Sequence, residues 1–185
     1  MTLLDDLTGL VADWHAAVPA LTEKERGRGW TLDACADELA QLIARHSSPL
    51  SEVQAHTLTL VAGGHSFQQI ADLYKAPYPT VNWRVQRIHK LYGTRSSTVA
   101  VIAALRAGHI TLDDIDTKWE GSEATTREVQ AMQAVADHGT NHAAARATGL
   151  TETAVKGYLQ RASDKAHASN RVDLVVRAYR EGLVT

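Results

Sequence analysis

Apolar positions between residues 50 and 111 recur at helical spacing, and two prolines separate one such run from the next. In HSFQQIADLYKAPYPTVNWRVQRIHKLYG, His65 to Gly93, a short amphipathic segment precedes Pro77 and Pro79 and a longer one follows. Along the longer one Val81, Val85 and Ile88 share a helical face, while Asn82, Arg84, Gln86, Arg87 and Lys90 occupy the rest. Nearer the start of the chain, Leu3, Leu7, Leu10, Val11 and Trp14 keep the same period. So do Leu32, Cys35, Leu39, Leu42 and Ile43, behind a cap expected at Thr31. The intervening VPALTEKERGRGW has proline, glycines and many charges, and reads as a loop. Residues 1–49 are thus expected to form a helical hairpin. Its core is too small to stand alone, so it should pack on the rest of the chain or make a homodimer with a second copy.

The pattern repeats. Shifting residues 50–111 by 74 places lays them on the end of the chain without a gap: Leu58 on Met132, Ile70 on Ala144, Ala71 on Ala145, Val81 on Val155, Val85 on Leu159, Val101 on Val175 and Gly108 on Gly182. The periodicity predicts helices over 51–62, 67–74, 79–92 and 95–107, and again over 126–138, 141–147, 152–166 and 171–181. Between the copies, LDDIDTKWEGSEA (112–124) has no period and reads as an acidic, exposed linker; Trp119 within it is expected to pack on a neighbouring domain. The expected architecture is all-α: the hairpin (1–49), a four-helix domain (50–111), the linker (112–124) and a second four-helix domain (125–185).

Composition supports helix, with 44% hydrophobic residues and only 4 prolines among 185. No apolar run approaches the roughly 18–20 residues that span a bilayer. Asp5 and Asp6 stand where a secretory leader would be basic, so a cytoplasmic location is expected. Cys35 is the single cysteine, which excludes an internal disulfide and any multi-cysteine zinc site. The formal charge of −2 is unevenly spread: −4 over residues 1–49, +4 over 50–111, −4 over 112–124 and +2 over 125–185. A polyanionic partner is therefore compatible with the repeated segments, although the whole chain is acidic.

Each copy sets a short helix, a tight turn and a longer helix in succession, an arrangement that can place the longer helix in the major groove of DNA. Several features carry a family resemblance: the T-x-R-E opening at Thr125, Arg127 and Glu128, the AGGHS…IA stretch of the first copy, the T-V or A-V start of the longer helix, and the closing A-x-x-x-G-x-I/V. With these, residues 50–111 resemble a LuxR/GerE-type DNA-binding domain, and residues 125–185 resemble a more degenerate form of it. The resemblance implies base contacts at Asn82 and Gln86, whose amides can bond an adenine edge. Trp83 between them could pack on a thymine methyl or on another domain. Arg84, Arg87, Lys90 and Arg95 would hold phosphates, joined by Ser66 and Thr80 at helix starts. The matching positions of the second copy are Lys156, Gly157 and Gln160 for bases and Arg161 and Lys165 for phosphates. Unlike residues in the two copies imply an asymmetric target. The family's serine cap on the longer helix is replaced by Pro77 in the first copy, whereas Thr151 keeps a capping side chain in the second. Ala144 in place of Ile70, and His138-Gly139 in place of Gly64-His65, predict a thinner core and a displaced turn in the second copy.

His138 and His142 lie four apart, but Gly139 interrupts the helix that would align them, so no metal site is expected. No catalytic constellation or phosphate-cradling glycine loop can be read, and no cofactor is expected. The sequence thus points to a non-enzymatic, double-stranded-DNA-binding transcriptional repressor, of bacterial or phage type, with RNA polymerase as a further candidate partner. Three other readings stay open. The copies also resemble the promoter-reading end of a sigma factor. The second copy could be a protein-binding adaptor, or the whole a DNA-architecture or recombination accessory factor.

Overall fold

Capping side chains mark the start of most helices in the structure, a computed structural model that describes residues 49–185. The expected N-terminal hairpin, Cys35, Thr31 and the homodimer contact lie outside the described residues. Eight α-helices follow in order: α1 Glu52–Ala62, α2 Phe67–Tyr74, α3 Tyr78–Leu91, α4 Ser97–Arg106, α5 Thr126–His138, α6 Asn141–Thr148, α7 Glu152–Ala166 and α8 Arg171–Arg180. A single 3-10 turn, Leu112–Asp114, lies between α4 and α5, and there is no strand among the described residues. Ser51, Ser66, Ser96, Thr125, Thr140, Thr151 and Asn170 each accept a backbone N–H in the first turn of the helix they precede. Only α3 lacks such a bond. It starts after Pro77 with Pro79 in its first turn, where the fixed φ of proline suits the helix and a missing N–H costs nothing.

Helix starts confirm the repeat at the level of backbone: 52, 67, 78 and 97 in the first set become 126, 141, 152 and 171 in the second, a displacement of 74 each time. The turn between the second and third helices keeps its shape as well. Lys75 and Gly149, again 74 apart, both adopt the left-handed conformation, at φ 50° and 69°. Glycine does so freely, whereas lysine pays a steric cost of about 1–2 kcal/mol. The expected displacement of the first turn in the second copy is also present, since α5 runs two residues further than α1 relative to the repeat and ends at Gly139.

Within each set the first two helices pack on the third, and the fourth closes the bundle. The two sets then exchange contacts: α4 packs on α5 and on α8, while α8 packs on α4 and on α1. A helix used on two sides must be apolar on more than one face. Accordingly α4 buries Thr98, Ala100, Val101, Ile102, Ala104 and Leu105, and α8 buries Asp173, Leu174, Val175, Val176 and Ala178. One connected apolar core extends from Leu50 to Val184 as a result. Each buried Val, Leu or Ile contributes about 1.5–3 kcal/mol relative to an exposed one. The segment 112–124, expected as an exposed acidic linker, is exposed at its acids but anchored at two buried residues. Ile115 and Thr117 are buried, and Trp119 packs half-buried on the shared core while its Nε1 donates to the Ser122 carbonyl at 3.1 Å. The acids Asp113, Asp114, Asp116, Glu120 and Glu123 stay exposed.

The joint is tightest where the glycine-containing turn after one set's first helix meets the other set's fourth helix. Gly64, at φ 84°, lies against Asp173; a Cβ there would come within 3.1 Å of Asp173 Cβ. Asn170 Nδ2 donates to the Gly64 carbonyl at 2.8 Å. On the other side Gly139, at φ 77°, lies against Ser96 and Val99, where a Cβ would approach Ser96 Cβ to 2.6 Å. Gly93 also has positive φ (61°), but nothing lies within 4 Å of its missing Cβ. Replacing Gly93 by alanine should therefore cost only the left-handed backbone penalty, about 1–2 kcal/mol. Gly64→Ala should cost clearly more, because it also wedges the joint; urea unfolding of the two variants gives the comparison, and equal costs would mean the joint is loose.

Candidate nucleic-acid interface

The inner face of α3 is fixed by Val81, Val85 and Ile88, all at 0% exposure, as their spacing predicts. Packing of that face on α1 and α2 forces the opposite side outward. Gln86, Arg87 and Lys90 are exposed there, Asn82 is half-buried, and Arg95 is exposed in the loop that follows. Trp83 is 60% exposed and carries Arg87, whose guanidinium sits 4.9 Å from the ring centroid. A cation resting on an indole face is held in a restricted set of positions while remaining open to solvent. Thr80 is exposed in the first turn of the helix.

Two of the predicted phosphate residues in this set have structural work instead. Arg84 turns back toward α1 and α2, where Nη1 donates to Thr57 Oγ1 at 3.2 Å and the guanidinium lies 5.1 Å from the Tyr74 ring centroid. Tyr74 in turn bonds His56 Nδ1 at 3.0 Å, so Arg84 braces three helices. The Ser66 hydroxyl is taken up in the capping box of α2: it accepts from Gln69 N at 3.3 Å and donates to Gln69 Oε1 at 2.9 Å. Helical periodicity sets Arg84 off the buried face and Ser66 stands at a helix start, but neither signal shows which partners lie beside them.

In the second set α7 buries Val155, Leu159, Ala162 and Ala166. Lys156 and Gln160 are exposed on the outer side, with Gly157 half-buried between them. Gly157 takes the register of Trp83, and only Arg161 Nη1, at 3.6 Å, lies near its missing Cβ. Arg161 rests 4.8 Å from the Tyr158 ring centroid. Thus the cations at one register of the repeat, Arg87 and Arg161, both lean on an aromatic ring, although the rings stand at different positions. The face is otherwise more committed than that of α3. Gln160 Nε2 donates to Asp164 Oδ1 at 2.8 Å, and Asp164 itself stands where the first set has Lys90.

Lys165, read as a phosphate ligand, is instead an internal counter-ion. Its Nζ lies 2.8 Å from Glu128 Oε2 and donates to the Glu123 carbonyl at 3.1 Å. Glu128 is 2% exposed and also receives the Thr125 N–H at 2.8 Å; Arg161 Nε lies 3.8 Å from its other oxygen. Burial alone would raise this carboxyl, but the bonds from Lys165 and Thr125 outweigh it and hold it below its ordinary value. Glu128 was legible as part of an opening motif, but its ion pair spans 37 residues and has no local signal.

A groove of about 630 Å³ runs beside the outer face of α7, lined by Lys156, Gln160, His167, Asn141, Asn170 and Arg171 among others. The last three come from the starts of α6 and α8, and sequence reading did not find them. Arg171 donates to the Gly139 carbonyl at 3.4 Å, and burial draws its guanidinium below its ordinary value. Asn141 Oδ1 is buried with no hydrogen-bond partner. The remaining predicted chemistry is quickly placed. His138 and His142 are exposed, and His142 Nδ1 lies 2.6 Å from Glu152 Oε1. Among the described residues no group of three His, Cys, Asp or Glu could hold a metal ion, and no helix is long and apolar enough to cross a membrane.

The Glu128 arrangement has a signature in pH. A carboxylate depressed on folding stabilises fully above its unfolded value of 4.5 and loses that contribution as pH falls through the folded value. Glu128→Gln should cost about 2 kcal/mol at neutral pH. The gap to the unsubstituted protein should close as urea unfolding is repeated at pH values below 4.5. A gap independent of pH would show that the charge is not what matters. Compared with protein-family models, with curated proteins and with solved structures, the chain matches none of them.

Proposed function

We propose that the chain is a sequence-specific, double-stranded-DNA-binding regulator of transcription, in which α2–α3 and α6–α7 are helix-turn-helix units of LuxR/GerE type. One observation carries this reading. The α3 helix contains Arg84, Arg87 and Lys90 with no acidic residue, and it presents Gln86, Arg87, Lys90 and Trp83 outward from a rigid three-helix support. Amide tips suit base edges, and cations at the margin suit phosphates, so the face combines the two kinds of contact that duplex recognition needs. The internal repeat supports a second reader at α7, where Lys156 would favour a guanine edge.

The second unit is the weaker reader, because Gln160 and Lys165 already have partners in Asp164 and Glu128. That same observation favours one competing reading, in which α6–α7 dock a protein and only α3 touches DNA. Selection of bound sequences from random duplexes, followed by binding titrations on the recovered site, tests both. Asn82→Ala and Gln86→Ala should each cost about 1–3 kcal/mol and relax preference at one base pair. Arg87→Ala should weaken all sequences alike and lower the salt slope by about one. Lys156→Ala with Gln160→Ala should shift preference at the other end of the site; unchanged affinity and preference would favour the adaptor. Recovery of no preferred sequence would remove the proposal.

A further inference from the structure

Fourth helices that exchange contacts across an interface are the arrangement of a two-fold dimer, in which the same patch serves on both sides. Here both sides belong to one chain. The first helix of each set meets the fourth helix of the other, and the two fourth helices meet each other. The apolar faces of α4 and α8 are divided between their own set and the other one, and Val101, Ile102, Val175 and Val176 are all at 0% exposure. Polar groups join the two sets at its edges: Asn170 donates to the Gly64 carbonyl at 2.8 Å, and Arg106 pairs with Asp137 at 2.9 Å. The segment that joins the sets is pinned as well. Arg180 donates to the carbonyls of Leu112 and Ile115, and Arg177 to that of Lys118 while pairing with buried Asp173 at 2.7 Å.

We infer that one copy of this chain does the work of a two-subunit regulator: a single molecule occupies both halves of its DNA site, at one fixed spacing and in one orientation. The inference rests on the reading of α3 and α7 as DNA readers. The joint supplies the fixed spacing, because the two units share a core and cannot slide independently. The orientation follows from unlike residues at matched registers: Asn82 against Lys156, Trp83 against Gly157, and Lys90 against Asp164. A duplex bound in reverse would present each reader with the wrong half. The sequence-level expectation of an asymmetric target is thereby extended to stoichiometry and geometry.

The test uses the full chain and the site recovered by selection. Footprinting locates the protected halves, and the mass of the complex is measured by sedimentation. One chain per duplex, with two protected halves, is expected. Inserting about five base pairs between the halves, half a helical turn, should weaken binding by about 100-fold or more, since rigidly linked modules lose their avidity once they cannot engage together. Inserting about ten, a whole turn, should not restore it. Two chains per duplex, protection of one half only, or recovery at the whole-turn insertion would overturn the inference while leaving DNA recognition intact. Failure of selection to yield any preferred site would overturn the DNA reading, and this inference with it.

Discussion

Everything in residues 49–185 depends on the packing of α4 and α8 against each other and against the opposite first helices. A four-helix set of some sixty residues buries a modest core by itself. Sharing α4 and α8 makes two marginal cores into one, and it explains why α4 buries six of its ten residues when a surface helix would bury one stripe. The constraint reaches the turns. Where α1 and α5 end, the opposing fourth helix comes so close that Gly64 and Gly139 leave no room for a side chain.

Charge is divided between holding the structure together and remaining available to a partner. In the second set and the segment before it, Lys165, Arg177 and Arg180 are engaged with Glu128, Asp173 or main-chain carbonyls. Each buried acid is satisfied several times over, which is the condition for a buried charge to be tolerated. In the first set Arg87, Lys90 and Arg95 are exposed, while Arg84 is drawn inward and Arg106 pairs with Asp137. The local charges of +4 and +2 therefore understate the difference between the two outer surfaces.

Much of the fold was legible in the sequence, because helices announce themselves through local signals. Ser66, Thr125 and Thr151 cap where a hydroxyl precedes an amphipathic run, and Val81, Val85 and Ile88 bury where a 3.6-residue period puts them. The repeat was legible for the same reason, since apolar register survives when identity does not. What stayed hidden was long-range. Nothing near Lys165 in the sequence points to Glu128, nothing near Arg84 points to Thr57, and the acidic stretch around Ile115 hides the anchors that bury it. Arg171 and Asn141 reach the groove beside α7 only because α6 and α8 start next to that helix. Long polar side chains at the edge of a helix face can turn either way, and tertiary neighbours decide.

The 74-residue displacement has a further consequence for how such a molecule can change. In a homodimer every substitution is made twice, so both surfaces alter together and symmetry is enforced. Here Trp83 faces outward in one set while Gly157 holds its register in the other, so each surface can be altered alone. The shared core holds the two sets together while either outer surface changes, so unlike surfaces are carried by one chain.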